Sequence, residues 1–98
     1  MSSIFEVEDV TGRLIHLSEE RWTHINREHP ELANLLDEIK DALMNPIRYD
    51  PWEFDANIRY FYRYYKYRKS AEKYLLVIVK YLNGEGFIIT AYFVRHIQ

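Results

Sequence analysis

Residues 74 to 94 read YLLVIVKYLNGEGFIITAYFV, two apolar runs separated by Leu82-Asn83-Gly84-Glu85. Each run has the length of a β-strand, and Asn-Gly between two such runs is a strong hairpin signal. The sequence therefore predicts antiparallel strands at Tyr74 to Tyr81 and Gly86 to Val94. The tyrosine-rich stretch from Ile58 to Tyr67 predicts a third strand, because aromatic side chains favour extended structure. We expect these three strands to form an antiparallel meander.

The first half of the chain carries helix signals. Ser18 is suited to cap a helix over Glu19 to Glu28, whose two acidic residues in the first turn complement the helix dipole. Pro30 fits the first position of a second helix, in which leucine and isoleucine recur at helical spacing until Asn45-Pro46 ends it. Two helices are therefore predicted before the meander.

Shorter elements complete the predicted fold. Apolar stretches at 4–7 and 14–17 flank the turn signal Thr11-Gly12, which predicts an N-terminal β-hairpin. Residues 47–50 are consistent with a short strand and residues 51–57 with a loop. The predicted fold class is α+β, with the N-terminal hairpin and the two helices packed on the antiparallel meander.

The composition, 48% hydrophobic and 29% charged over 98 residues, is typical of one ordered domain, which we expect to span residues 1–98. The absence of cysteine excludes disulfides and thiolate metal sites. The N-terminal residues lack the basic and apolar regions of a signal peptide, and no apolar run approaches the ~20 residues of a membrane-spanning helix. We therefore expect a cytoplasmic protein that does not span a membrane.

The net charge of −2 hides an asymmetry between the two halves of the chain. Residues 1–57 carry a net charge of −8, whereas residues 58–98 carry +6 and most of the tyrosines. Cations neutralise phosphates and aromatic rings stack on bases, so the second half would suit RNA. The same pattern also describes a tyrosine-rich sheet with solvated lysine and arginine side chains.

Alternation along the last strand assigns side chains to its two faces. Phe87, Ile89, Ala91 and Phe93 form a wholly apolar set that we expect to face the helices. Thr90 then lies on the opposite face, together with Tyr92. In the tyrosine-rich strand, either of two sets could share that face. We favour the set that contains the arginines, whose members include Arg59, Arg63 and Tyr65.

His24, on the first helix, is a candidate for proton transfer. Helical spacing places Trp22 and His29 on one side of this helix and His24 roughly opposite, with Arg27 beside it. Imidazole exchanges protons readily near neutral pH, and Arg27 could hold a phosphate. His29, directly before Pro30, is better interpreted as a structural residue that caps the second helix. The two histidines lie about 140° apart and have no cysteine partners, so no metal site and no cofactor are predicted.

Four motifs in order carry a family resemblance: Arg21-Trp22-Thr23-His24-Ile25, His29-Pro30-Glu31-Leu32, Tyr74 to Lys80, and Thr90-Ala91-Tyr92. They resemble the small phage-type nuclease domains of the barnase, EndoU, colicin and RelE-like (BECR) class, mostly uncharacterised bacterial proteins. The resemblance extends from about Phe5 to Ile97. It implies helices laid across an antiparallel sheet and RNA cleavage without a metal, in the manner of a toxin-like endoribonuclease.

Carried over by motif, the resemblance implies roles for individual residues. His24 would be the general acid or base, Arg63 would bind phosphate, and Thr90 would contact the scissile phosphate. Five further residues are candidates for RNA binding: Arg27, Arg59, Tyr65, Lys80 and Tyr92. The reaction would be attack of a ribose 2′-hydroxyl on its own phosphodiester. The implied partners are tRNA, mRNA or ribosome-associated RNA, and an antitoxin or immunity protein that covers the basic sheet.

Two other functions fit the same residues. One is a non-catalytic module that binds RNA or a protein on the tyrosine and arginine strand, with His24 and Thr90 in structural roles. The other is a homodimer that has the aromatic strand at its interface. An enzyme requires His24, Arg63 and Thr90 or Tyr92 to converge on one accessible cleft, so the three-dimensional arrangement discriminates among these functions.

Overall fold

The protein is described from residue 3 to residue 98 by a computed structural model. The elements follow one another as β1 (Ser3–Glu8), β2 (Leu14–Ser18), α1 (Glu19–Glu28), a 3₁₀ turn (Pro30–Leu32), α2 (Leu36–Met44), β3 (Arg48–Trp52), β4 (Asp55–Tyr64), β5 (Tyr74–Leu82) and β6 (Glu85–Val94). The six strands form one sheet in the order β1-β2-β6-β5-β4-β3. The predicted α+β class is confirmed.

The predicted antiparallel meander of β4, β5 and β6 is confirmed, but the N-terminal hairpin belongs to the same sheet, which makes the whole sheet mixed. Strands β3 to β6 are antiparallel neighbours, and β1 pairs antiparallel with β2. The N-terminal hairpin also joins the same sheet, because β2 pairs parallel with β6 at Ile15–Gly86 and His16–Phe87. Glycine is favoured at position 86, because a β-carbon there would overlap the end of the Ile15 side chain and lie 2.8 Å from that of Val79.

The helices differ from their predicted form at one point. Ser18 caps α1 as expected, and its hydroxyl accepts a hydrogen bond from the Arg21 amide at 3.1 Å. Pro30 starts only a 3₁₀ turn, and α2 begins later, at Leu36. His29 occupies the capping position before this turn but makes no side-chain capping hydrogen bond, so its predicted capping role is wrong.

The β5–β6 hairpin turns at Asn83 and Gly84, whose φ angles of 54° and 83° are those that the Asn-Gly signal predicts. Further along, the β5–β6 register shifts between Ile78, opposite Thr90, and Val79, opposite Ile88. Ile89 is therefore an additional residue on β6, a β-bulge that reverses the alternation before it. Ile88 is buried, whereas Phe87 is 41% exposed, so the prediction that Phe87 and Ile89 face the helices is wrong.

Helix α2 packs on β1, β4 and β5, and α1 packs on β2 and β6. The principal core lies between the helices and one sheet face. Its helical members include Ile25, Ile39 and Leu43, and its strand members include Phe61, Val77 and Ala91. On the other face, Tyr62 and Leu76 are also almost fully buried but do not belong to this core. We call this second face the open face, because α2 lies on the opposite side of the sheet.

Candidate functional site on the open face

The strand register places three rows of side chains across the open face. They are Asp50, Tyr60, Ile78 and Thr90; Arg48, Tyr62, Leu76 and Tyr92; and Tyr64, Tyr74 and Val94. Neighbouring strands lie about 4.8 Å apart, so Tyr60 is separated from Thr90 by about 10 Å. Thr90 and Tyr92 share this face, as the sequence predicts, and both are partly exposed. Thr90 thus lies beside Ile78 on β5 and beside Tyr92 along β6, while the arginine of these rows, Arg48, lies on the outer strand β3.

The first two rows hold the ion pair of Arg48 and Asp50 on β3, at 2.6 Å, and phenolic hydroxyl groups on β4 and β6. Burial raises the pKa of Tyr92, and the neighbouring Tyr60 hydroxyl adds to this effect. Burial likewise raises the pKa of Tyr62, although a hydrogen bond from the Gln98 amide at 3.4 Å acts in the opposite direction. Both groups therefore stay protonated at neutral pH, and Tyr92, which is partly exposed, can donate a hydrogen bond to an anionic oxygen atom without titrating.

His29 contributes an imidazole to this face. Its ring stacks on the Tyr92 ring, with centroids 5.2 Å apart and planes inclined by 21°. The side chain keeps 29% of its surface exposed, and Nδ1 lies 3.9 Å from the Glu31 carboxylate. Helix α1 packs on β6, and His29 is the residue that directly follows this helix. An accessible imidazole therefore lies against the strand that carries Thr90.

Cationic groups border the open face at its β2 side. A cavity there is lined in part by Arg21, His16, Lys80 and Phe87. Lys80 belongs to the open face, and its Nζ lies 3.9 Å from the Asp55 carboxylate, whereas the structure shows no ion pair for Arg21 among residues 3–98. His16 is bonded at Nδ1 to Glu6 at 2.7 Å and at Nε2 to Glu85 at 2.6 Å. Arg21 and Lys80 are thus the cations available to an anion in this cavity.

Arg63 lies on the helix-covered face, so the prediction that the arginine set shares a face with Thr90 is wrong. Its neighbour Phe61 is fully buried in the principal core, and alternation places Arg63 on the same side. Arg63 Nη1 donates to the Asn45 carbonyl oxygen at 2.7 Å, and Nε lies 3.0 Å from the Asp41 carboxylate. Arg63 therefore ties β4 to the end of α2.

Arg59 and Tyr65 also lie on the helix-covered side. The Arg59 guanidinium lies 5.6 Å from the ring centroid of Tyr49 and 5.9 Å from that of Tyr81. The Tyr65 hydroxyl donates to the carbonyl oxygen of Glu38 at 3.2 Å. Burial, with the nearby charges of Asp41 and Glu38, raises the pKa of Tyr65 to about 12. The arginine set thus contacts the helices and the outer strand β3, because its members alternate with the tyrosines of the open face.

His24 and Arg27 are exposed on α1, on the side predicted from the helical spacing. His24 Nε2 lies 2.9 Å from the Glu28 carboxylate one turn along the helix. Both residues line a shallow cavity that also includes Arg21. Arg21 also lines the cavity that contains Lys80 at the β2 side of the open face. The surface around His24 therefore adjoins the open face through Arg21. The structure thus places Thr90, Tyr92 and Lys80 on one face, and His24 and Arg27 beside it.

Sequence reasoning missed His29, Arg21 and Tyr60 as members of this surface. His29 and Arg21 belong to motifs that carried the family resemblance, and that membership was the sequence signal that could have included them in the site. Including Tyr60 would have required knowing which face of β4 lies beside Thr90, and only the β4–β5 register shows this.

Comparison with protein-family models, with curated proteins and with solved structures found no match to this chain. Within residues 3–98, neither helix has the length and apolar character that crossing a bilayer demands.

Proposed function

We propose that this protein is a metal-independent ribonuclease whose site is the open face of the sheet. The observation that carries the proposal is the stack of His29 on Tyr92, on the face that holds Thr90. It joins a proton-transfer group to a strand that carries two hydroxyl donors, Thr90 and Tyr92. The resemblance to the BECR class supports the same reaction, although the residues that meet on this face differ in part from those carried over by motif.

The reaction needs a group that exchanges a proton and donors that stabilise charge on phosphorus. The ribose 2′-oxygen bonds to phosphorus, and the bond from phosphorus to the 5′-oxygen breaks. The departing oxygen gains the proton that the 2′-hydroxyl loses. His29 is the group that moves this proton in our proposal, and Thr90 and Tyr92 donate hydrogen bonds to the phosphoryl oxygens.

Charge stabilisation on this face comes from neutral phenols and from two bordering cations. The raised pKa of Tyr92 keeps its proton in place while negative charge develops on the phosphoryl oxygens. Arg21 and Lys80, at the β2 side, are placed to hold a neighbouring phosphate of the RNA. His24 and Arg27 belong to the flanking surface of α1 in this proposal.

Incubation with total RNA in the presence of EDTA tests the proposal. We expect wild-type protein to cleave RNA with the chelator present, and His29→Gln to lose about 10²- to 10⁴-fold in rate, the usual contribution of a general acid or base. His24→Gln is the matched control, because His24 lies on α1 and pairs with Glu28 whereas His29 stacks on Tyr92, and this variant should keep most of the activity. Loss of cleavage in His24→Gln with full activity in His29→Gln would assign the reaction to α1 instead.

A second candidate is a module that binds RNA without cleaving it. The separation of Arg63 from Thr90 on opposite sheet faces favours it, because the residues implied by the resemblance do not converge on one cleft. The aromatic rows would then serve as a stacking platform. Retention of RNA by a protein that leaves every transcript intact would select this function over the first.

A further inference from the structure

The loop between β4 and β5, residues 65–73, is a second surface with the composition of a nucleic-acid contact. It holds four of the chain's 13 lysine and arginine residues and one acidic residue. We call it the basic loop. It begins after Tyr64 and ends before Tyr74, the two aromatic residues of the third row, whose rings lie 4.9 Å apart. The loop therefore extends directly from one end of the open face.

Two of the four cations hold the loop in shape. The Arg68 guanidinium lies 3.6 Å from the centroid of the Phe93 ring, and its Nε donates to the Glu72 carbonyl oxygen at 2.9 Å. Lys73 donates to the Arg68 carbonyl oxygen. The backbone of Tyr65 donates to the Lys73 carbonyl oxygen at 2.8 Å and closes the loop. These contacts tie the two ends of the loop together and hold its middle against Phe93.

The remaining two cations and one aromatic residue point outward. Lys66 and Lys69 are exposed, and the described residues 3–98 show no ion pair for either. Tyr67 is 89% exposed, the highest value among the exposed large hydrophobic and aromatic side chains of residues 3–98. The Lys66 Nζ atom lies 5.4 Å from the centroid of its ring. An ordered loop that holds an aromatic ring and two cations in water is the arrangement that binds a base and its flanking phosphates.

We propose that the basic loop is a docking site for single-stranded RNA outside the reaction centre, where Tyr67 stacks on an unpaired base and Lys66 and Lys69 contact phosphates. The inference rests on the proposed function, since it assigns that enzyme a single-stranded substrate. Paired bases cannot place their faces on a ring, so duplex RNA would reach the loop only through phosphate contacts. The Tyr64–Tyr74 pair then leads the strand from the loop towards Tyr92 and Thr90.

Binding of a fluorescent 12-nucleotide 2′-O-methyl oligouridine, measured by anisotropy at several salt concentrations, tests the inference. The methyl group removes the attacking hydroxyl, so binding is measured without cleavage. Replacing both Lys66 and Lys69 by Gln should weaken binding and reduce the slope of log affinity against log salt by roughly 1.4, for two phosphate contacts with a single strand. Tyr67→Ala should weaken binding at least about fivefold and leave the slope unchanged.

Two variants outside the loop serve as controls. Phe54→Ala removes an aromatic residue that is 74% exposed in the β3–β4 turn, and Lys40→Gln removes a lysine of α2. Both should bind as wild type does. Unchanged affinity and salt slope in the loop variants would overturn the inference, as would tighter binding of a matched RNA duplex.

Cleavage of a dinucleotide separates the two proposals, because it is too short to reach the loop from Thr90. Loop variants should cleave it at the wild-type rate and cleave a long single strand with a raised KM. If wild type cleaves long RNA and the loop variants do so with unchanged KM, the docking inference alone fails. If the oligonucleotide binds through the loop and nothing is cleaved, the docking site stands and the ribonuclease proposal fails.

Discussion

Replacing Arg63 by Met should destabilise the protein and leave its action on RNA intact. The variant keeps an unbranched apolar stem but removes the guanidinium, which donates to Asn45 at 2.7 Å and lies 3.0 Å from the Asp41 carboxylate. The Nε atom is buried without an aligned acceptor, so the second contact is mainly a charge interaction. Both contacts hold the last turn of α2 against β4, where a cation also complements the helix dipole.

The magnitude follows from these two contacts. A hydrogen bond from a charged group contributes about 1.5 to 3 kcal/mol. The side chains of Arg63 and Asp41 are 35% and 37% exposed, and solvent screening at such exposure reduces the charge interaction. We therefore expect a loss of about 1 to 2 kcal/mol in the free energy of unfolding. For a chain of this size, that loss lowers Tm by roughly 5 to 15 °C.

Thermal unfolding followed by circular dichroism, in parallel with RNA cleavage below Tm, measures both effects. Arg63→Lys is the matched variant, because it keeps the charge beside Asp41 but cannot form both contacts, and it should fall between wild type and Arg63→Met. An Arg63→Met protein with the wild-type Tm and no cleavage of RNA would refute the reasoning. That result would mean that the guanidinium acts on the substrate.

Three further predictions concern the sheet and its buried polar groups. Gly86→Ala should lower the free energy of unfolding by about 1 to 3 kcal/mol in urea titration, because its β-carbon overlaps Ile15; wild-type stability would contradict the β2–β6 contact. Tyr81→Phe should lower the free energy of unfolding by about 1 to 3 kcal/mol, since it removes a hydrogen-bond donor to the buried Asp9 carboxylate. An unchanged midpoint of urea unfolding would exclude that hydrogen bond. The free energy of unfolding should fall as the pH rises from about 10 to about 12, because the tyrosines of the unfolded chain lose their protons there while burial holds the pKa of Tyr65 in the folded protein at about 12. Tyr65→Phe should reduce the slope of this free energy against pH. Equal slopes for the variant and wild type would show that Tyr65 titrates alike in the folded and unfolded states.

Local signals in the sequence predicted the elements well. Asn83-Gly84 predicted the β5–β6 hairpin, because both positions need positive φ angles. Ser18 predicted the start of α1 through its side-chain cap. Each of these features depends on a few neighbouring residues, so the sequence contains all the information that the prediction needs.

Features that depend on distant contacts were not predictable in the same way. The parallel pairing of β2 with β6 joins residues about seventy positions apart and has no local signal. The bulge at Ile89 reverses an alternation that looks uninterrupted in the apolar sequence before Thr90. The two faces of β4 both carry aromatic residues, so only its register with β5 shows that Phe61 and Arg63 face the helices. The sequence therefore placed Thr90 and Tyr92 on one face correctly, and it wrongly placed Arg59 and Arg63 on that face.

The claim that the open face is the RNA site is tested most directly by the chemical shifts of the backbone amides and of the His29 ring during titration with the 2′-O-methyl oligonucleotide. We predict shifts at Thr90, Tyr92 and Ile78 and in the His29 ring, with α2 residues such as Asp41 unchanged. Shifts confined to α2 and to Arg63, with Thr90 and Tyr92 unmoved at saturating oligonucleotide, would contradict the account.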